Sequence, residues 1–379
     1  MEPIQLFVPT FRIEECLDEI RECLEKGWTG LGYKTIEFEE AWKNYSGLPY
    51  AHFLNSASAG LHLAVLALKN KYGWKEGDEI ITTPITFVST NHAIMYENLK
   101  PVFADVDQYL CLDPESVLER ITPKTRAVMF VGLGGNTGQL RSIIEICKEK
   151  KLKLILDAAH MSGTRWTNGN HVGAEADVTV FSFQAVKNLP TADSGMICFQ
   201  DCDLDEDIRK WTWLGINKDT YSRTVNQGTY KWYYDVEHIG FKDHGNSIMA
   251  AVGLVSLKYL EQDNAYRRQL CRWYDLFLGS EPKIKRVPMS IDCVPSRHLY
   301  QIQVERRDEV MQALNVANIA PGVHYRDNTL YKMYSYAKGS CPTAQSVSDK
   351  LISLPLHMRL SYDHIKYISE TLKKIVHDC

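Results

Sequence analysis

Asp177-Val178-Thr179-Val180-Phe181-Ser182-Phe183-Gln184-Ala185-Val186-Lys187-Asn188 runs from an apolar, β-branched stretch into a short polar turn. The apolar part reads as a buried strand, and the turn sets Lys187 just past its end. A strand end is a rigid platform, so a lysine there can be aimed. Where its surroundings lower its pKa, such a lysine can form a Schiff base with an aldehyde cofactor. Most lysines are solvated surface groups, so the reading depends on what accompanies this one. One βα unit earlier, Leu152-Lys153-Leu154-Ile155-Leu156-Asp157-Ala158-Ala159-His160 is a second apolar strand that ends in a carboxylate, with a histidine behind it. An acid at the carboxyl end of a buried parallel strand faces the ligand crevice of an α/β sheet. An acid beside a pyridine nitrogen keeps that nitrogen protonated, so the ring can draw electrons. Taken alone, Asp157 reads equally as a helix cap or turn residue.

A third segment has the same logic. Ala51-His52-Phe53-Leu54-Asn55-Ser56-Ala57-Ser58-Ala59-Gly60, followed by the helical run Leu61–Leu68, is strand, small-residue turn, helix. Small residues let backbone amides approach a ligand, and a helix N-terminus offers unpaired N–H groups and positive dipole to a phosphate. Ser56 and Ser58 could add hydroxyls. By itself the segment also reads as an ordinary serine-capped helix.

Together the three segments resemble the fold-type I pyridoxal-phosphate enzymes, and more narrowly the DegT/DnrJ/EryC1/StrS sugar aminotransferase family. Further matches lie in the same order along nearly the whole chain: Trp28-Thr29-Gly30-Leu31-Gly32 with Phe38-Glu39-Glu40, Thr83-Pro84-Ile85-Thr86-Phe87, Ile239-Gly240-Phe241-Lys242-Asp243-His244-Gly245-Asn246, Gly322-Val323-His324-Tyr325 and Leu354-Pro355-Leu356-His357. The resemblance implies that Lys187 holds pyridoxal 5'-phosphate as an internal aldimine and then shuttles a proton during transamination. It implies that Asp157 holds the ring nitrogen protonated, that Phe87 stacks on the ring, and that His160 sits near the phenolic oxygen. The phosphate would lie at Ser56, Ala57 and Ser58 with the Ser182 hydroxyl. Asn246 would complete that site from the partner chain of a homodimer. Phe87 also reads as a core phenylalanine, and His160 as a structural histidine. The implied acceptor is a nucleotide-linked keto-deoxysugar and the implied donor is glutamate.

Strand-like and helix-like runs alternate from about residue 50 to 200, among them Glu79–Thr83, Pro101–Asp105, Arg126–Val131, Gly195–Phe199 and the helical Ser142–Glu149. Such alternation predicts an α/β layered sheet with helices on both faces. The resemblance adds one antiparallel strand. Helical spacing from Asn246 to Gln262 predicts a helix joining two units. A large cofactor-binding α/β domain is expected over 1–255, and a smaller C-terminal α+β domain over 256–379, with a strand at Leu299–Val304 and a helix at Arg307–Asn315. The stretch from Lys210 to Trp232 is rich in aromatic and basic residues (Trp211, Trp213, Tyr221, Arg223, Tyr230, Trp232) and reads as dimer interface reaching the substrate mouth.

The 379 residues suffice for two domains, and 45% hydrophobic content supports a large core. A net charge of −4 argues for neither a nucleic-acid nor a membrane surface. Ten scattered cysteines without a Cys-x-x-Cys pair suggest free thiols, hence a reducing cytoplasm and no metal site. The opening Met1-Glu2-Pro3-Ile4-Gln5 has no basic stretch before an apolar core, so no signal peptide is expected. No apolar run reaches the roughly 18 residues of a membrane span.

Several loops depart from the family. Ala57-Ser58 replaces Gly-Thr, His244-Gly245 replaces Arg-Met, and Arg326-Asp327-Asn328-Thr329-Leu330 replaces a proline-bearing stretch. The loop Gly132-Leu133-Gly134-Gly135-Asn136-Thr137-Gly138-Gln139 keeps only the final Gly-Gln. These loops face substrate in the family, which leaves a small phosphorylated ketone as an alternative acceptor. The glycines of the same loop, with Asp157 about 20 residues on, also approach a dinucleotide-binding fingerprint. That would make the chain an NAD-dependent dehydrogenase and leave Lys187 without a purpose. Sugar 3-dehydratases of the family carry histidine at the lysine position, which Lys187 argues against. A non-catalytic regulatory relative would have no need of the full catalytic set.

Overall fold

A computed structural model describes residues 2–217 and 234–378. Helices α1 (Ile13–Glu25) and α2 (Tyr33–Ser46) lead into an alternation of β1 (Tyr50–Leu54), α3 (Ala57–Tyr72), β2 (Glu79–Thr82), α4 (Val88–Tyr96), β3 (Lys100–Phe103), α5 (Pro114–Glu119), β4 (Thr125–Val131), α6 (Leu140–Lys150) and β5 (Lys153–Asp157). The short β6 (Arg165–Trp166), β7 (Val178–Ser182), β8 (Gly195–Phe199) and α7 (Cys202–Trp211) follow. Seven strands form one sheet in the order β1-β8-β7-β5-β4-β2-β3. β8 is antiparallel to both of its neighbours, and the remaining pairings are parallel. The single reversed strand is the one the family resemblance implied.

Strand side chains point alternately to opposite faces, and both faces here are buried. Phe130, Leu154, Leu156, Phe181 and Met196 enter one layer with Phe38 and Trp42 of α2 and Ile143 of α6. Their neighbours Met129, Ile155, Val180 and Ile197 enter the other, against Leu61 and Ala64 of α3, Ile94 of α4 and Ile208 of α7. Two-sided burial explains why these strands read as continuous apolar runs.

The next described helix, α8 (Ser247–Leu278), has 32 residues and outruns the stretch seen in the sequence. Ala250 and Leu260 near its start belong to the first layer of the large sheet. Leu270, Tyr274 and Leu278 near its end enter a separate core with Tyr300, Ile302 and Ile352. That core backs a three-stranded antiparallel sheet of β9 (Lys285–Arg286), β11 (Tyr300–Gln303) and β12 (Leu351–Leu354), while β10 (Cys293–Val294) pairs with β6. Further helices cover Arg307–Val316, Pro342–Ser348 and Tyr362–Asp378. Position 255/256 lies inside α8, so the helix belongs to both cores.

Of the aromatic and basic stretch, Lys210 and Trp211 end α7 and Trp213 bridges to Lys242. Tyr221, Arg223, Tyr230 and Trp232 lie outside the described residues. The nine described cysteines are all unpaired, and eight are buried. Among the described residues no helix is long and apolar enough to cross a membrane.

Candidate active site

The carboxyl ends of β1, β4, β5 and β7 share one rim, because parallel strands all point the same way. Each is followed by a polar or small-residue loop, and these loops enclose a cavity of about 460 Å³. Ser56, Ala57, Ser58, Phe87, Asp157, His160, Ser182 and Lys187 line it together. Of the catalytic and cofactor-binding residues expected from sequence, only Asn246 lies elsewhere in its own chain, capping α8, where its side chain accepts from the Met249 N–H at 2.9 Å.

Lys187 sits in a tight turn that its own backbone closes. Its N–H donates to Gln184 O at 2.8 Å, and the Val186 N–H donates to Gln184 Oε1 at 3.2 Å. Burial lowers its pKa to about 8, against the opposing pull of Asp157. Asp157 is 4% exposed. Its Oδ2 accepts from the Thr90 hydroxyl at 2.8 Å and its Oδ1 from the Ala159 N–H at 3.1 Å. Burial pushes its pKa up, while Thr90, the Ala159 amide and Lys187 pull it back. A buried carboxylate so placed, with the Lys187 charge acting on it, has the chemistry to pair with a protonated ring nitrogen.

His160 is buried and burial holds it neutral, far below the usual histidine range, with the Lys187 charge adding to the effect. Its Nδ1 is 3.2 Å from the Gly134 N–H, which can only donate. The proton is therefore assigned to Nε2, which lies 3.4 Å from the Tyr325 hydroxyl.

At the first turn of α3 the Ser56 side chain caps the Ala59 N–H at 3.1 Å. The amides of Ala57 and Ser58 make no hydrogen bond with the described residues, so two donors and the helix dipole face the cavity. β8 begins against this turn. A Cβ at Gly195 would lie 2.6 Å from Ala57 N and 2.8 Å from Phe181 O, so only glycine lets the reversed strand sit there. Phe87 stands at the N-cap of α4, 57% exposed, with its ring 6.0 Å from that of Tyr325. An exposed aromatic face, an anion cradle, a buried acid and a lysine of lowered pKa around one cavity are a donor set that fits pyridoxal phosphate.

The glycine loop does not fit a dinucleotide. Residues 132–138 are buried throughout. A Cβ at Gly132 would overlap the Met161 side chain, one at Gly135 the Ser296 hydroxyl, and one at Gly138 would lie 2.6 Å from Cys111 Cβ. The backbone that a pyrophosphate would need to approach is covered by the protein itself. The dehydrogenase reading is therefore overturned: these glycines serve close packing.

The cavity also takes in residues that sequence reasoning passed over. Phe7 reaches it from the N-terminal segment, and His298 from just before β11. His324 and Tyr325, quoted as a family motif without a role, form another wall. Nothing local marks His298, whose partner Asn188 is 110 residues away in sequence.

The fold and the cavity are those of a fold-type I pyridoxal-phosphate enzyme. The chain belongs to the DegT/DnrJ/EryC1/StrS aminotransferase family, whose model matches residues 12–373, and it is a pyridoxal-phosphate-dependent aminotransferase. It is 33% identical to the spore coat polysaccharide biosynthesis protein SpsC of Bacillus subtilis, over 96% of this chain and 95% of that protein. Among solved structures it is similar to PseC of Helicobacter pylori, an aminotransferase involved in the biosynthesis of pseudoaminic acid, with 25% identity, full coverage of both chains and a TM-score of 0.91. It is similar also to Spr1654 of Streptococcus pneumoniae in its PLP form, with 26% identity, 99% coverage of both chains and a TM-score of 0.90.

Proposed function

We propose that this aminotransferase passes an amino group from glutamate to a keto-deoxysugar carried on a nucleotide, as a cytoplasmic homodimer with shared active sites. The observation that carries the reading is the meeting of Lys187 and Asp157 on one cavity whose rim holds a helix N-terminus. Bound pyridoxal phosphate supplies an electron sink that acidifies the donor α-carbon. Lys187 Nζ would hold the cofactor's aldehyde carbon and, as a free neutral amine, would carry a proton between the donor α-carbon and that aldehyde carbon, which only a neutral amine can do. Burial makes that amine's proton easy to lose. Asp157 keeps a proton on the ring nitrogen, and Phe87 fixes the ring plane. His160 Nε2 donates toward the phenolic oxygen. The Ala57 and Ser58 amides and the Ser58 and Ser182 hydroxyls take the phosphate, with Asn246 of the partner subunit closing the site.

A sugar acceptor draws support from SpsC and PseC, whose names tie them to polysaccharide and to pseudoaminic acid. The dimer draws support from the family resemblance of the stretch from Ile239 to Asn246, at whose start Val236 and Ile239 stand 56% and 98% exposed. The cytoplasm draws support from the unpaired thiols. The test is to supply glutamate with a panel of keto-sugar nucleotides and small keto phosphates, and to follow products by mass spectrometry. An amino-sugar nucleotide is the expected product. Turnover confined to a triose phosphate would replace the sugar acceptor, and failure of glutamate beside success of another amino acid would replace the donor.

A further inference from the structure

His298 lies 2% exposed at the cavity wall, between two rings. Phe7 stacks on it at 5.4 Å with the planes 7° apart, and His160 lies 4.3 Å from it at 36°. Its Nδ1 is 3.0 Å from Asn188 Oδ1. Asn188 spends its Nδ2 on Asn264 Oδ1 at 2.7 Å and on Ser296 O at 2.8 Å, so its Oδ1 is an acceptor and His298 Nδ1 carries the proton. Asn188 adjoins Lys187 in the chain. On the other side the His298 backbone N–H donates to Gly134 O at 3.0 Å, and the Gly134 N–H is the donor that sets the His160 tautomer. One residue that precedes β11 therefore touches both arms of the chemistry: the lysine turn through Asn188, and His160 through ring contact and Gly134. The αL conformation of Gly134 (φ +66°) lets one peptide serve both histidines.

We propose that His298 is a positioning residue that holds the Lys187 turn and His160 in fixed relation across the cavity, making the buried glycine loop a clamp on the catalytic constellation. The inference rests on the role given to Lys187 above. Without the bond from His298, Asn188 keeps its Nδ2 bonds to Asn264 and Ser296 but its Oδ1 is no longer fixed to the cavity wall; the Lys187 turn loosens and the amine gains solvent, so it becomes harder to deprotonate.

The test compares His298→Leu, which keeps bulk and loses the bond, with His298→Asn, which restores an N–H in the place of Nδ1. The first readout uses the cofactor-free chain: the pH midpoint for labelling of Lys187 by an amine-reactive reagent, followed by peptide mass. In the parent it falls near 8, and in His298→Leu it moves up toward the ordinary 10.5. The second is kinetic: kcat in His298→Leu falls by about 10- to 100-fold while KM for the donor stays within about 3-fold, the mark of a lost interaction that acts on the chemical step. His298→Asn recovers most of both effects. If His298→Leu does not accumulate as folded protein, Asn188→Ala cuts the same bond from its other end, along with those to Asn264 and Ser296, and must move the midpoint the same way and at least as far. An unchanged midpoint in the folded variant, or equal loss in the Leu and Asn variants, overturns the proposal. Failure of the underlying reading shows separately: borohydride would then trap pyridoxal phosphate at some residue other than Lys187 in the parent chain.

Discussion

Lys187 illustrates how a functional residue works against its own fold. An amine with a folded pKa near 8 and an ordinary value of 10.5 binds its proton less tightly folded than unfolded. Between those values the unfolded chain holds more protons, so stability rises with pH across that window and the full cost of the buried charge stands below it. Cofactor-free Lys187→Met should therefore melt above the parent at pH 7, by on the order of 1–3 kcal/mol. The gap should close toward pH 10.5, as read by scanning fluorimetry; a gap that persists there would refute the assignment of the shift to this amine. In the holoenzyme, Lys187→Ala should abolish turnover and the visible absorbance of cofactor joined to the chain. Asp157→Asn should keep the fold, checked by circular dichroism. It should cost at least about 100-fold in kcat, since an amide cannot hold a charged ring nitrogen.

At the scale of elements, the meeting of β8 with α3 decides whether the anion cradle forms. Gly195→Ala pushes a methyl group into backbone on two sides. It should destabilise by about 1–3 kcal/mol and weaken cofactor retention in equilibrium dialysis, while an exposed glycine such as Gly30, with open space around it and no left-handed backbone, makes the control. A second fastening is buried under β1. Glu39 of α2 accepts from the Phe53 N–H at 2.8 Å, pairs with His52 at 2.9 Å and takes Arg209 of α7 at 3.0 Å. These partners overcome burial and hold its pKa down to about 2. Its contribution is therefore fully present above the ordinary carboxyl value of 4.5 and is lost as pH falls toward 2. Glu39→Gln should cost about 1–3 kcal/mol, because the buried carboxylate's bonds with the Phe53 N–H, His52 and Arg209 are lost or weakened, while Arg209, itself part-exposed, keeps Asp205; urea melts at pH 7 and pH 3 should show the difference shrink in acid. The elements differ in how far sequence discloses them. Runs such as residues 178–181 are plain because both faces are buried and every position is apolar or β-branched. The direction of β8 leaves no mark in periodicity and came through resemblance alone. Gly132–Gly138 misled in part because glycine suits a phosphate and a tight protein contact for the same steric reason. His298 was invisible because its meaning lies in a contact across the fold.

At the scale of the molecule, two cores meet at one cavity, and the large-domain side carries Lys187 and Asp157 while His298, His324 and Tyr325 come from beyond α8. Asn246 stands outside its own chain's cavity, which gives the proposed shared site a sharp test. Inactive Lys187→Ala and Asn246→Ala dimers, mixed and allowed to exchange, should recover about a quarter of parental activity, because half the dimers become mixed and each mixed dimer has one whole site. Absence of recovery after exchange is verified would confine Asn246 to capping its helix. The unbroken course of α8 has its own consequence for anyone who would splice this enzyme with a relative. A helix is a screw: each residue advances about 1.5 Å and turns about 100°. One residue added between Leu260 and Leu270 would swing everything downstream through more than a quarter circle, carrying the far wall away from the lysine. A graft at this joint must match its parents in thread as well as in length.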